Sequence, residues 1–349
     1  MGRRSYVKAA AVCAVGILTA SGCGGGGQEG GSGDRLSVVT GVYPLQWLAS
    51  QVGGDHVDVE NLAGPGTDPH ELELAPRQIG SVGNADVAFY IGGLQPAVDD
   101  AVSSQGGDNA LDVADLVELR TLEENAGSSG HDHSEGEGGH DHGHEESGGS
   151  ADESGHEEGH DGGHEESGGE GGHDHGEFDP HMWLDTERFT AAAEGLADRL
   201  SEIDPDHASD YAANAESVTG TLGDIDTEYS EGLAECDSRD IVVSHSAFGY
   251  LAHRYDLHQI SPTGVDSHAE PTPARLAEVA ETVREHDIGT VFTEPLSDSS
   301  AAETIASETG AKTAVLDPVE GVAEKSPGDD YPSIMRANLT TLTEALGCS

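Results

Sequence analysis

From residue 36 onward the chain alternates short apolar runs with longer amphipathic stretches. Leu36-Ser37-Val38-Val39-Thr40 reads as a strand, Leu45 to Val52 as a helix and Val57 to Leu62 as a second strand, and the alternation repeats in Arg77 to Val82 and Val87 to Ile91. Two long helical patterns follow, Thr186 to Ile203 and Pro205 to about Ala234, with Asp204 or a neighbour as the expected cap of the second. The rhythm then resumes with Ile241 to Ser244, Ala247 to Arg254, Ala274 to Arg284, Thr290 to Phe292, Ala301 to Thr309, Ala314 to Leu316 and a closing helix from Tyr331 to Leu346. Strands alternating with helices predict an α/β fold of two lobes, each with a mostly parallel sheet flanked by helices. In such sheets ligands gather beyond the carboxyl ends of the strands.

Two segments break the pattern. Arg3, Arg4 and Lys8 precede an apolar run from Ala9 to Ala20 that is too short to span a bilayer, so residues 1–22 read as an export signal that is removed. Its end, Leu18-Thr19-Ala20-Ser21-Gly22-Cys23, resembles the lipobox of bacterial lipoproteins, in which the cysteine is acylated. On that reading Cys23 anchors the chain to the outer face of the cell membrane, and residues 23–34 form a flexible tether. An ordinary signal cut near Gly22 is the alternative, and Arg3-Arg4 also looks like a twin-arginine export signal.

The second break, residues 125–177, holds ten of the 19 histidines: His131, His133, His140, His142, His144, His156, His160, His164, His173 and His175. Gly143-His144-Glu145-Glu146-Ser147-Gly148-Gly149 recurs at 163–169, and Gly139-His140-Asp141-His142-Gly143 at 172–176. Glycine, serine and charge without apolar anchors predict disorder, and alternating imidazole and carboxylate make a low-affinity metal loop. The charge balance of the whole chain, 15 Lys+Arg against 67 Asp+Glu, excludes a nucleic-acid partner, which needs a basic face. Once Cys13 leaves with the signal and Cys23 carries lipid, Cys236 and Cys348 remain; outside the cell they read as a disulfide, with two free thiols as the alternative.

The candidate chemistry lies just past the predicted strands. His245 follows Ile241 to Ser244, Asp317 follows Ala314 to Leu316, His70 lies in the loop after the second strand, and His181 follows the insert. Three imidazoles and one carboxylate complete a tetrahedral shell for Zn²⁺ and leave no position open for catalytic water. A secreted metallohydrolase with Glu71 or Glu294 as base is the competing reading; Glu294 also suits the role of an acceptor fixing a histidine tautomer, and no His-Glu-x-x-His motif is present.

Pro69-His70-Glu71, Asp179-Pro180-His181-Met182-Trp183-Leu184-Asp185, Ser244-His245-Ser246-Ala247-Phe248-Gly249-Tyr250-Leu251 and Val315-Leu316-Asp317-Pro318 resemble, in order and spacing, the metal-specific solute-binding proteins of bacterial ABC importers, most closely the ZnuA-like zinc-uptake lipoproteins. Ala269 to Pro273, Asp330-Tyr331, Met335 to Leu339 and the His-rich insert fit the same family, whereas Leu74 stands where relatives often carry proline. The resemblance implies an N-terminal lobe at 35–204, a long interlobe helix at 205–235 and a C-terminal lobe at 236–349, with the ion in the cleft on His70, His181, His245 and Asp317. His268 beside Glu270-Pro271 is a surface residue near that cleft. The implied role is a monomeric zinc receptor, not an enzyme, that hands Zn²⁺ to an ABC permease and its ATPase. A manganese receptor or an extracellular zinc buffer is the alternative, but His245 stands where manganese carriers usually place a carboxylate, and the extra imidazole favours zinc.

Overall fold

The computed structural model describes residues 35–105, 107–125 and 178–349; the export segment, Cys23 and the ten insert histidines lie outside them. The described residues hold two four-stranded sheets. Strands β1 (Leu36–Thr40), β2 (Val57–Asn61), β3 (Val87–Tyr90) and β4 (Ala110–Asp112) form the first in the order β2-β1-β3-β4. Strands β5 (Asp240–Val242), β6 (His258–Ile260), β7 (Thr290–Thr293) and β8 (Lys312–Val315) form the second in the order β6-β5-β7-β8. Every pairing is parallel. In each sheet the chain steps to one side and then reverses, so a crevice opens at the strand ends between β1 and β3 and again between β5 and β7.

The helices are α1 (Tyr43–Gly53), α2 (Pro76–Asn84), α3 (Pro96–Gln105), α4 (Leu122–Asn125), α5 (Thr186–Ile203), α6 (Ala208–Gly232), α7 (Gly249–Arg254), α8 (Pro273–Glu285), α9 (Ser300–Thr309) and α10 (Tyr331–Leu346). Strand periodicity distributes side chains between layers. Val39 and Ala88 pack with Val82 of α2 and Val98, Ala101 and Val102 of α3, whereas Val38, Val87 and Phe89 face the opposite way into a larger core. In the second sheet Val242 and Val291 meet α8 and α9, while Ile241, Val243 and Phe292 join that same larger core.

One apolar core therefore runs from sheet to sheet. Helix α6 crosses it with Tyr211, Ala215, Val218, Leu222, Ile225 and Tyr229, a three- and four-residue spacing that keeps one stripe buried over a length of about 27 Å. Trp47 of α1 stacks on Tyr331 of α10 at 4.9 Å and on Phe189 of α5 at 6.0 Å, and the Tyr229 hydroxyl donates to the Met335 carbonyl at 2.6 Å. A wide hinge would have to shear this packing.

Strands β4 and β6 and helices α3 and α4 are not marked by the hydrophobic pattern. The two strands are three residues long, below the length at which alternation can be read. Asp204 does not cap α6 through backbone N–H groups; its carboxylate takes His207 Nδ1 at 2.6 Å and the Tyr211 hydroxyl at 2.9 Å, and a separate 3₁₀ turn occupies Pro205–His207. Cys236 and Cys348 are joined by a disulfide across a separation of 112 residues. Among the described residues no helix is long and apolar enough to cross a membrane.

Candidate metal site

His70 sits on a 3₁₀ turn, Pro69–Glu71, beyond the end of β2. The turn begins at Asp68, whose Oδ1 accepts the His70 N–H at 2.9 Å, and the side-chain amide of Gln95 fixes it: Nε2 donates to the Pro69 carbonyl at 3.2 Å and to the Gly41 carbonyl at 2.8 Å. A side chain at Gly41 would place its Cβ 2.1 Å from Gln95 Oε1, so only glycine leaves room for this brace.

His181 lies three residues into the chain that returns from the insert. Thr121 and Phe178 form an antiparallel bridge, the Asp179 N–H donates to the Arg120 carbonyl at 2.9 Å, and Tyr250 joins the two segments by accepting the Arg120 N–H and donating to the Asp179 carbonyl. Asp179, fully buried, accepts from the backbone N–H of His181 at 2.9 Å and from its ring Nδ1 at 2.7 Å; its other oxygen takes Asn125 Nδ2 at 2.8 Å. His245 follows β5 with Glu294, at the end of β7, beside it. Glu294 Oε2 lies 2.7 Å from His245 Nδ1, off the line of a good hydrogen bond, and Oε2 also accepts the Ser297 hydroxyl at 2.7 Å.

The three rings converge, with centroids 5.4 to 5.8 Å apart. At their centre is Glu320, whose Oε1 lies 3.2 Å from His70 Nε2, 3.1 Å from His181 Nε2 and 3.4 Å from His245 Nε2. All four residues are buried, and their ligand atoms form a group able to hold a metal ion. A tetrahedral zinc with bonds of about 2.05 Å sets its ligand atoms about 3.3 Å apart, so the observed separations fit that ion.

The carboxylate in the group is Glu320, and Asp317 lies outside it. Asp317 is used in building the turn: its Oδ1 accepts the Val319 N–H at 2.8 Å, while the Asn338 side chain accepts the Asp317 N–H at 2.9 Å and donates to its carbonyl at 2.7 Å. Val319 is then held at φ 62°, a left-handed conformation costly for a β-branched residue, and this reversal directs Glu320 inward. The Glu320 carbonyl accepts from the N–H of Tyr43 at the start of α1, which joins the turn to the other lobe. The sequence signal for Glu320 was a second acid three residues beyond Asp317, between Val319 and Gly321. Glu71 is exposed, and His268 stands at the rim, 3.2 Å from Asp68 Oδ2 and 3.5 Å from Glu71 Oε2.

Electrostatically, the metal-free group is a proton store. Burial works against an imidazolium at His181, but the Asp179 and Glu320 carboxylates outweigh it and push the pKa up to about 9. His245 goes well above its ordinary value for the same reasons, with Glu294 and Glu320 overcoming burial. Burial would raise Glu320, yet the surrounding histidines hold it well below the usual carboxylate range. Burial pushes Asp317 up to about 6, with Glu320 and Glu294 adding to the shift.

Residues 38–345 match the model of the family described as zinc-uptake complex component A, periplasmic. The chain is 32% identical to the zinc-binding lipoprotein AdcA of Streptococcus pneumoniae over 89% of its own length, and spans just over half, 56%, of that relative. It is 31% identical to the high-affinity zinc uptake system protein ZnuA of Bacillus subtilis, over 96% of both chains. Among solved structures, the Zn(II)-bound ZnuA-like domain of S. pneumoniae AdcA superposes with a TM-score of 0.65 at 28% identity, covering 89% of this chain and 99% of that one. With three histidines and a carboxylate gathered between two parallel sheets, and a match over nearly all of its described length, the chain belongs to the ZnuA family.

Proposed function

We propose that the protein is an extracytoplasmic receptor that captures Zn²⁺ on His70, His181, His245 and Glu320 and delivers it to an ABC permease. The observation that carries this reading is the convergence of three Nε2 atoms on one Glu320 oxygen at separations that suit tetrahedral zinc. Three imidazoles favour zinc over the harder, oxygen-preferring Mn²⁺. Four protein ligands leave no open position for substrate water, and Glu294 already serves His245 and Ser297, which favours carriage over hydrolysis. The names of the relatives, a zinc-binding lipoprotein and a zinc uptake protein, support the same role.

In this reading Cys23 carries the lipid anchor, the receptor acts as a monomer beside its permease and ATPase, and the histidines of the insert hold further Zn²⁺ loosely and raise its concentration at the main site. Elemental analysis with anomalous scattering tests the metal and its ligands. Zinc on these four side chains is the expected result, and stoichiometric zinc retained by His245→Ala in a chain lacking residues 131–175 would contradict the assignment. Deleting 131–175 and measuring loading and growth in zinc-poor medium tests the insert; unchanged values would remove its proposed role.

A further inference from the structure

The loop that leaves β6 ties two of the histidine turns together. At its base, Thr263 donates through its hydroxyl to the Ser244 carbonyl at 3.1 Å, and the Ser246 N–H and hydroxyl reach the Gly264 and Thr263 carbonyls at 2.7 and 3.0 Å. Ser244 and Ser246 flank His245. Arg275 holds the Ser261 carbonyl from behind at 2.8 Å, and Val265 is buried in the middle of the loop. At the far end Ser267 donates to Asp68 Oδ2 at 3.0 Å, and His268 Nε2 approaches the same oxygen at 3.2 Å. The other oxygen of Asp68 accepts the His70 N–H.

One carboxylate therefore serves both lobes: Oδ1 shapes the His70 turn, and Oδ2 receives the opposite lobe. Asp68 is buried and its contact with Ser267 is half-buried, whereas His268 and Glu71 face solvent. The loop spans from the turn that presents His245 to the turn that presents His70, and the two ligands cannot separate while both of its ends hold.

We propose that residues 261–268 form a strap that sets how long the ion is retained, with Asp68, Ser267 and His268 as positioning residues that act through the histidine turns and do not touch the metal. The inference rests on the metal-receptor reading above. Opening the Asp68 contacts lets the lobes part at the His70 side and frees the ion, and their exposed neighbours lie where a docking partner reaches them first.

The test uses the full chain loaded with Co²⁺, whose absorption at a tetrahedral site reports the buried group apart from the insert. A Ser267→Ala/His268→Ala double variant should keep the tetrahedral cobalt spectrum and the melting temperature of the metal-free protein, yet lose cobalt to a chelator about tenfold faster in stopped-flow. Release at the parental rate in the double variant would overturn the strap. A changed spectrum would also overturn it, by showing that these residues build the site. Absence of a tetrahedral spectrum in the parent would instead remove the metal-site reading on which the proposal stands.

Discussion

A single oxygen of Asp179 meets His181 twice, taking its backbone N–H at 2.9 Å and its ring Nδ1 at 2.7 Å. The ring is thereby held with Nδ1 as donor and Nε2 aimed at the centre of the site, where its lone pair becomes available once the second ring proton leaves. In Asp179→Asn the new amide would face the Asn125 amide donor, and His181 would lose its charged acceptor. Zinc affinity should fall about 10- to 100-fold, read by competition with a chromophoric chelator, while the fold by circular dichroism stays unchanged.

The geometry separates two carboxylates that the sequence does not. Glu320→Gln should weaken zinc by more than about 100-fold, because it removes the charged ligand itself. Asp317→Asn keeps an oxygen for the Val319 N–H and should cost at most about tenfold, the lower range for a group acting through another. Equal losses in the two variants would count against Glu320 as the ligand.

That pair also marks how far the sequence could be read. The strand and helix rhythm put His70 and His245 in loops just past strands whose periodicity is plain, whereas His181 was marked only by its motif directly after the insert. Which acid points inward depends on one residue, Val319, adopting a left-handed backbone against its own preference, and local propensity carries no trace of that. Strands β4 and β6 were hidden for a different reason: three residues acquire their identity from the neighbouring strand with which they pair.

Binding should release protons. With His181 titrating near 9, the empty site holds an imidazolium at neutral pH, and zinc must displace it. Apparent affinity should therefore rise with pH up to about 9 and weaken progressively in acid. Calorimetry at pH 7 in buffers of different ionisation enthalpy checks this: the observed heat should vary with the buffer. The metal-free fold should show the opposite sign, since a raised histidine pKa stabilises it below about 6.5 and that contribution is lost as the pH climbs through about 9.

Joining Cys236 to Cys348 closes a long loop around the whole second sheet. Replacing both by serine should lower unfolding free energy by about 2–4 kcal/mol in denaturant titrations. The bridge lies at the opposite ends of the strands from the histidines, so cobalt absorption at the main site should not change.

The clasp formed by Thr121 and Phe178, with Tyr250 bonded to both strands of the neck, has a consequence for how such a protein can evolve. Because the chain at Thr121 and the chain at Phe178 are stapled to each other before His181 is reached, the histidine turn is braced independently of the sequence that lies between them. Substitutions, insertions or deletions between the two stapled positions can therefore accumulate while the geometry of the binding centre stays as it is.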